Sequence, residues 1–421
     1  GLVGTDGIDQ GRRAQYRSAQ NVYRLEGVLP QEVTIEYIGG DSPLNVSKTF
    51  RFEPGSHTVL VSQTVNNASS VTAQVTPFVQ LKRDSSPAPA ASDSGMGMKP
   101  FLGSALTQPD QRFAKFDFDD MAEDPFRADL TGGWVAMLQH YFVSAWIPAS
   151  DSTYRFRTRQ TRSGDNIIGY TGPAMTIAPG ETISISNQLY VGPKNQQVLA
   201  GLGSHLDLVV DYGWLWWIAQ PLFWLLTFIQ SIVINWGIAI IVLTLLVKLA
   251  FFQLSAIGYK SMARMRKVQP RIMAIREEYA NDKAKQSQAM MELYKKEKIN
   301  PLGGCFPILV QMPVFIALYW VLMESVELRQ APFALWINDL SVMDPYFVLP
   351  ILMGASMFYM QKLNPAPPDP MQAKIMQWMP IVFTFFFLWF PAGLVLYWLC
   401  NNLLSMGQQY IINRRIESGA L

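Results

Sequence analysis

The chain has 421 residues, of which 49% are hydrophobic and 16% are charged. This balance is too apolar for an ordinary soluble protein and too polar for a chain embedded in a membrane throughout, so it predicts a two-part molecule. The formal net charge of +2 excludes a global electrostatic field for nucleic acid. Long apolar runs begin only beyond Trp214, so the membrane part is predicted to be C-terminal.

The first 208 residues carry the pattern of an antiparallel β-sandwich. Runs rich in β-branched and aromatic residues alternate with turn residues, which is typical of a single all-β domain. The predicted strands are Val33–Ile38, His57–Val65, Val71–Leu81, Trp134–Trp146, Tyr154–Thr158 and Thr182–Val191. The stretch from Asp84 to Gly97 consists almost entirely of Ser, Pro, Ala, Asp and Gly, so it is predicted to be a loop.

Residues 209–227 connect the two parts and are rich in tryptophan. Trp214, Trp216, Trp217 and Trp224 crowd an apolar segment that Pro221 interrupts. Clustered tryptophan prefers the headgroup level of a bilayer. An amphipathic helix lying in the membrane interface is therefore predicted here.

Residues 228–415 contain five apolar stretches, each near the length that a bilayer core demands. The predicted spans are Phe228–Phe252, Cys305–Met323, Tyr346–Gln361, Ile375–Phe390 and Leu394–Ile412. The sequence thus predicts a five-span α-helical membrane domain, followed by a short tail at residues 416–421.

The charges between these spans predict the orientation in the membrane. Tyr259–Asn300 carries eleven basic and five acidic residues, which predicts a cytoplasmic segment. Alternation then places Glu324–Pro345, the turn at Pro391 and the β-domain outside the cytoplasm, and Arg414-Arg415 inside it.

Apolar residues recur at helical spacing on both sides of Asn281-Asp282, which predicts a helical hairpin over residues 259–300. Two interpretations stay open for this hairpin. Its helices could pack only on each other, or their basic faces could dock a ribosome or another partner.

Lys248 is the foremost candidate for a functional residue, because apolar residues flank it on both sides. A lysine at the centre of a spanning helix costs about 2.5–3.5 kcal/mol, so an intramembrane charge suggests function. Thr244 and Ser255 share its helix face. The alternative is a lysine that extends its long stem to the headgroups.

Other predicted spans also carry polar side chains. Gln311 lies in the second span, and Asn401, Asn402, Ser405 and Gln408 recur in the last. Either these residues face a shared hydrated pocket, or they form hydrogen bonds between helices. The sequence contains no catalytic constellation and no paired spacing of metal ligands, so neither an enzyme nor a cofactor site is predicted.

Several long motifs are shared with a known family. They are Asn300–Pro307, Gln311–Phe315, Gln330–Phe333 and Phe387–Trp398. In this order they resemble the YidC membrane protein insertases of Gram-negative bacteria, and the likeness covers Tyr212 to Arg415. The β-domain is similar to the periplasmic domain of those proteins in position and size.

The resemblance implies an insertase and chaperone of the bacterial inner membrane that acts alone or with the Sec translocon. Its implied partners are nascent membrane proteins, ribosomes or targeting factors at the cytoplasmic hairpin, and the lipid bilayer. No cofactor is implied. The resemblance also implies a signal-anchor helix ahead of Gly1. The rival interpretation, a small-solute transporter or channel, predicts inverted repeats, and the sequence has no convincing repeat.

The resemblance further implies a five-helix core around a hydrophilic groove that is closed toward the periplasm. The basic groove residue falls at Lys248, where most members have arginine, and lysine offers only a point charge to a carboxylate. The other groove residues are Thr244, Ser255, Gln311, Asn401 and Asn402. The implied slide for the apolar part of a substrate consists of Met312, Pro313 and Phe315, faced by Val382, Phe383 and Phe386.

Overall fold

The computed structural model describes residues 1–9, 13–39, 42–86, 100–148, 152–297, 306–363 and 370–418. The chain forms two compact units, which divide between Val210 and Asp211. β-Strands make up most of the first unit, and helices make up the second. The predicted order of an antiparallel β-rich domain followed by a helical domain is therefore confirmed.

In its described residues, the first unit contains two antiparallel sheets and two short α-helices. The strands are β1 Leu2–Val3, β2 Tyr16–Ser18, β3 Gln31–Tyr37, β4 Leu44–Phe52, β5 Thr58–Asn67, β6 Ala73–Arg83, β7 Gly103–Leu106, β8 Ala114–Phe116, β9 Arg127–Thr131, β10 Val135–Leu138, β11 Phe142–Pro148, β12 Thr153–Gln160, β13 Asn166–Thr171, β14 Met175–Ile177 and β15 Thr182–Pro193. The helices are α1 Phe118–Glu123 and α2 Gln196–Leu202. One sheet has the order β2-β3-β4-β5-β15-β11-β10-β7-β8, and the other has β1-β6-β13-β12-β9 with β14 beside β6.

The two sheets bury one common core. Phe156 and Ile168 of the smaller sheet lie in the same apolar cluster as Leu106 and Val135 of the larger one. Along β12, exposed and buried residues alternate, as expected of a strand with one face on the core. The sandwich therefore follows from alternating polarity in the sequence.

The predicted strand Trp134–Trp146 is wrong, because this segment forms two strands. β10 and β11 pair with each other, and the amide of Gln139 donates to the carbonyl of Phe142 at 2.9 Å to close the turn. The turn between Gln139 and Tyr141 contains neither glycine nor proline, so it left no signal in the sequence.

Several strands were not predicted, and β13 shows the reason. Its first five residues are buried, so alternation is absent. Gly169 interrupts it, and a Cβ at this position would overlap the Val79 carbonyl of β6. A glycine in a strand marks such a close approach of backbone. In the predicted loop, Asp84–Ser86 lies outside the strands, and residues 87–97 lie outside the described residues.

The second unit consists of helices. They are α3 Trp216–Val233, α4 Trp236–Ala250, α5 Phe252–Glu278, α6 Lys283–Lys296, α7 Phe306–Glu324, α8 Val348–Leu363, α9 Pro370–Phe387 and α10 Ala392–Glu417. Among the described helices, one segment, Gly213–Val233, is by itself long and apolar enough to cross a membrane. Helices α4 and α5 meet this criterion together, with a bend of 68° between them. The five-span count stays a prediction.

The predicted first span began too early, and the predicted interfacial helix ended too early. α3 continues through Phe228 to Val233, and the chain then turns at Ile234, whose φ is 55°. The side chain of Asn235 caps the start of α4, because its Oδ1 accepts a hydrogen bond from the amide of Ile238 at 3.0 Å. This bond satisfies one of the free amide donors in the first turn of the helix. A single asparagine in a long apolar run is too weak a signal to predict this break between α3 and α4.

The turns of the second unit cluster at two ends. At one end, Asn235 donates to the Phe333 carbonyl at 2.9 Å, and the amide of Gly393 donates to the Leu340 carbonyl at 2.9 Å. The α3–α4 turn, the segment after α7 and the α9–α10 turn therefore lie together. At the other end, Gln409 of α10 donates to the Leu363 carbonyl of α8 at 3.3 Å.

Helices α5 and α6 are joined by a turn at Tyr279–Asp282. Val268 and Ile272 of α5 are buried against Met290, Leu293 and Tyr294 of α6. The two helices thus bury part of their apolar residues on each other, whereas their basic residues lie mostly on the surface.

Candidate functional site

Lys248 lies near the end of α4 and is only 7% exposed. Its ammonium nitrogen Nζ donates to Oγ of Ser405 on α10 at 2.8 Å. Among the described residues, no carboxylate forms an ion pair with this amine. The side chain ends inside the helical unit on an uncharged partner, which makes its position unlike that of a lysine extended toward solvent.

A line of hydrogen bonds continues from Ser405 to a third helix. The Ser405 hydroxyl donates to the Asn401 carbonyl one turn earlier in α10, at 2.7 Å. The Asn401 side chain accepts from Nε2 of Gln311 on α7 at 3.3 Å. The structure therefore brings the predicted residues Lys248, Asn401 and Gln311 together through Ser405, across α4, α10 and α7. We call these four residues the polar line.

The other predicted groove residues have different partners. The Thr244 hydroxyl is buried and donates to the Ile240 carbonyl of its own helix at 2.6 Å. Ser255 is buried in the second turn of α5. Asn402 donates to Ser356 of α8 at 3.0 Å, so its side chain is directed to α8 and not to Lys248.

Two further polar residues at this place were not among the predicted groove residues. Ser405 of α10 accepts from Lys248 at 2.8 Å, and Gln408 of the same helix donates to the Phe252 carbonyl at 3.0 Å. Ser405 and Gln408 had a signal, namely their spacing in the polar stripe of α10. No three His, Cys, Asp or Glu side chains of the described chain come together as ligands for a metal ion.

The predicted slide residues lie around one aromatic side chain, Trp398 of α10. The Phe315 ring of α7 meets it edge-on, with ring centroids 4.4 Å apart. The Phe383 ring of α9 lies 6.2 Å from the same ring. Trp398 therefore lies between α7 and α9, and the sequence analysis had not assigned it a role.

The other slide residues divide into exposed and packed ones. Met312 of α7 and Val382 of α9 expose 44% and 61% of their surface. Pro313 lies inside α7, and the Phe386 ring packs against Phe390 at 4.9 Å.

The exposed face of α9 extends the apolar surface beyond Val382. Met371, Ile375, Trp378 and Val382 follow one another at helical spacing, and all are more than half exposed. Together with Lys374 and Met379 they line a shallow cleft of about 400 Å³. An apolar stripe of this length on the surface of a helix is suited to contact with lipid or with another apolar helix.

Two family models match the chain: "60Kd inner membrane protein" over residues 228–419 and "YidC periplasmic domain" over residues 1–225. The membrane protein insertase YidC of Marinomonas sp. (strain MWYL1) is 56% identical over 423 residues, which cover 100% of this chain and 76% of that protein. The chain belongs to the YidC family of membrane protein insertases. The resemblance inferred from the motifs is thus confirmed.

A second relative gives the same result. The membrane protein insertase YidC of Pseudomonas fluorescens (strain SBW25) is 54% identical over 422 residues, covering 99% of this chain and 75% of that protein. A solved structure of an active YidC insertase with its first transmembrane domain resolved is 19% identical and has a TM-score of 0.45. The match covers 97% of this chain and 84% of that one.

Proposed function

We propose that this chain integrates newly made proteins into the bacterial inner membrane by receiving their hydrophilic flanks along the polar line. The buried amine of Lys248 carries this proposal, because it is held by the uncharged Ser405 and has no carboxylate partner among the described residues. A buried charge of this kind is costly without an opposite charge. A client protein with an acidic flank supplies that charge.

Lys248 can bind a carboxylate without leaving Ser405. Its ammonium group has three N–H donors, and one of them is directed at Ser405. A hydrogen bond between charged groups stabilises by about 1.5–3 kcal/mol, more than a neutral one. Lysine lacks the two parallel donors of arginine, so we expect it to bind acidic residues in more than one geometry.

The rest of the polar line shortens the apolar distance that a flank must cross. Gln311, Asn401 and Ser405 offer hydrogen-bond partners in place of water, which lowers the cost of desolvating polar groups. Thr244 adds a polar group one turn before Lys248 on α4, and Ser255 adds one at the start of α5. Asn402, which is bonded to Ser356, holds α10 against α8 in this proposal.

The apolar segment of the client follows a different surface. We infer that it passes between Met312, Pro313 and Phe315 of α7 and the facing residues Val382, Phe383 and Phe386 of α9. The contacts of Phe315 and Phe383 with Trp398 support this path, because they bring both sides to one aromatic ring. Transfer of an apolar helix into a bilayer is favourable by itself, so no nucleotide is needed.

The proposed topology has five spans, α4 with the start of α5, then α7, α8, α9 and α10. Helix α3 then lies in the periplasmic interface. Two contacts support this position, since Gly213 lies beside the Trp320 ring near the end of α7, and Asn235 after α3 bonds to Phe333. Both ends of α3 are thus beside the turns at one end of the unit. Its exposed residues Trp216, Trp217 and Trp224 suit the headgroup level.

The α5–α6 hairpin and the C-terminus are cytoplasmic in this proposal. The excess of basic residues in Tyr259–Asn300 supports that side of the membrane. The same exposed charges make the hairpin the candidate contact for a ribosome or a targeting factor. Cooperation with a Sec translocon, in insertion or in folding of delivered spans, belongs to the same proposal.

Reconstitution of the full chain alone in liposomes tests the proposed function. A single-span client with a short acidic flank is added, and protease protection of the flank measures its insertion. A trapped small solute measures leakage in the same vesicles, and vesicles with an unrelated multi-span protein serve as the control. We expect insertion without solute flux. Solute flux without insertion would contradict the proposal and favour the transporter.

A further inference from the structure

The β-domain carries a row of arginines on one strand of its smaller sheet. Arg155, Arg157 and Arg159 stand at every second position of β12 and are exposed, whereas the three residues that precede each of them, at 154, 156 and 158, are buried. Alternate residues of a strand point to the same side of a sheet and lie roughly 7 Å apart. The three guanidinium groups therefore share the outer, solvent-facing side of this sheet.

The neighbouring strand β9 adds a fourth arginine to this side, directly opposite one of the three. Asp129 of β9 faces Arg155, but Arg127 of β9 faces Arg157. The first pair is complementary, because Arg155 donates to both oxygens of the Asp129 carboxylate, at 2.8 and 3.2 Å. The second pair places like charges opposite each other, which destabilises a sheet. We call Arg127, Arg155, Arg157 and Arg159 the arginine face.

The ladder between β9 and β12 brings the like-charged side chains close together. The amide of Thr158 donates to the Phe126 carbonyl at 2.9 Å, so backbone bonds join this pair and every second pair after it. Arg127 and Arg157 therefore form a non-hydrogen-bonded pair, the kind in which opposite side chains are nearest. Burial, and then the charges of Arg159 and Arg127, lower the pKa of Arg157. Among the described residues, no carboxylate forms an ion pair with Arg127, Arg157 or Arg159.

The strand that carries Arg127 also has a free edge. Among the described strands, β9 pairs only with β12, so it is an edge strand of its sheet. The amide of Gly132 donates toward β12, to the Ser152 carbonyl at 3.2 Å. Since the backbone groups of an antiparallel strand alternate in direction, those of Arg127, Asp129 and Thr131 point away from β12. Another extended chain can pair with such an edge.

Protection of the edge against aggregation explains only part of this arrangement. Charged residues on edge strands prevent unwanted pairing, and Arg127 fits that role. Arg157 and Arg159, however, stand on β12, which has a strand on each side. At the edge of the larger sheet, Arg17 of β2 faces the opposite charge of Glu36. An edge of this fold therefore does not require a like-charged pair for its protection.

We propose that the arginine face and the free edge of β9 together bind an extended acidic segment of another protein, which adds to the sheet as a strand beside β9. The backbone of that segment pairs with Arg127, Asp129 and Thr131, and its alternate acidic side chains bind the arginines. A guanidinium group binds a carboxylate through two parallel hydrogen bonds, as Arg155 does with Asp129. An anionic lipid surface offers charge to the arginines but no backbone to the edge. This inference goes beyond the proposed function, because the polar line takes no part in it.

The test measures binding of a short labelled peptide to the full chain in phosphatidylcholine nanodiscs, by fluorescence anisotropy. The peptide is rich in threonine and carries glutamate at two alternate positions, and a matched peptide carries glutamine there. We expect the double variant Arg127→Gln, Arg157→Gln to weaken binding of the acidic peptide about three- to tenfold, the loss of two exposed ion pairs. The control Arg17→Gln, on the edge strand of the other sheet, should leave the affinity unchanged.

Two further measurements test the strand pairing itself. An acidic peptide with methylated central backbone nitrogens keeps its charge but loses its donors, and we expect it to bind more weakly than the unmethylated peptide. Hydrogen exchange locates the site on the full chain. The unmethylated peptide should slow the exchange of the amides in Arg127–Thr131.

A charge reversal separates binding from folding. Arg157→Glu replaces the like-charged pair with a complementary one, so we expect an unchanged or higher unfolding temperature of the β-domain together with loss of acidic-peptide binding. If Arg157→Glu binds the acidic peptide as the wild type does, or if the β9 amides gain no protection, the inference is wrong. Phosphatidylglycerol vesicles are the last arm. If the arginine variants lose binding to these vesicles but bind the acidic peptide normally, the partner is a lipid surface and the inference is also wrong.

Discussion

Replacing Lys248 with glutamate is expected to abolish insertion of clients whose short flank is acidic. The wild-type amine is buried and has no carboxylate partner among the described residues, so it can bind a client carboxylate. Glutamate would place a second negative charge at the same point and repel the flank. Lys248→Ala only removes the attraction, and we expect it to lower insertion of these clients about 10- to 100-fold, the equivalent of one charged hydrogen bond.

Two controls test whether the charge itself is required, one with a variant of the chain and one with a variant of the client. Lys248→Arg should retain insertion, because arginine keeps a positive charge and donates in a planar fork. A client whose flank carries amides should insert almost equally into wild-type and Lys248→Ala vesicles. Insertion is measured by protease protection of the flank. Unchanged insertion of the acidic client by both Lys248→Ala and Lys248→Glu would contradict the charge mechanism.

Replacing Trp398 with alanine is expected to lower insertion of every client, whatever the charge of its flank. The Trp398 ring contacts Phe315 of α7 and Phe383 of α9, so alanine would leave a gap between the two sides of the proposed slide. Removal of a packed tryptophan costs about 3–5 kcal/mol in a core. We expect at least about a tenfold decrease in insertion, measured with acidic and neutral clients.

A second aromatic variant separates the ring contacts from the indole itself. Trp398→Phe keeps a ring at this position and should retain most of the insertion. The recovery of folded protein after reconstitution is compared by gel filtration for both variants. If Trp398→Ala lowers only the acidic client, Trp398 belongs to the charge site and the proposed apolar path is wrong.

The sequence predicts the β-domain well where one face of a strand is exposed. β12 alternates between exposed and buried residues, and the prediction Tyr154–Thr158 lies within it. β13 is buried along almost its whole length, so the alternation on which the prediction depends is absent. Its partner β12 precedes it directly in the chain, but its other partner β6 is distant in sequence, and only the folded sheet identifies it as a strand.

The candidate site was predictable to the extent that it depends on membrane chemistry. Lys248 and the polar stripe of α10 stand out because each interrupts an apolar helix. Their partners depend on how the helices are arranged. Gln408 contacts the Phe252 carbonyl where α5 bends away from α4 by 68°, and nothing in the residues around Phe251 predicts that angle.

Photo-crosslinking of a client held partway through insertion tests the central claim most directly. A photoreactive residue is placed either in the hydrophilic flank or in the middle of the apolar segment, and the crosslinked peptides of the chain are identified. We predict that the flank crosslinks to the neighbourhood of Lys248, Asn401 and Ser405, and that the apolar segment crosslinks to α7 around Phe315 and α9 around Phe383. A flank that crosslinks only to lipid, or to the exposed face of α9, would contradict the account.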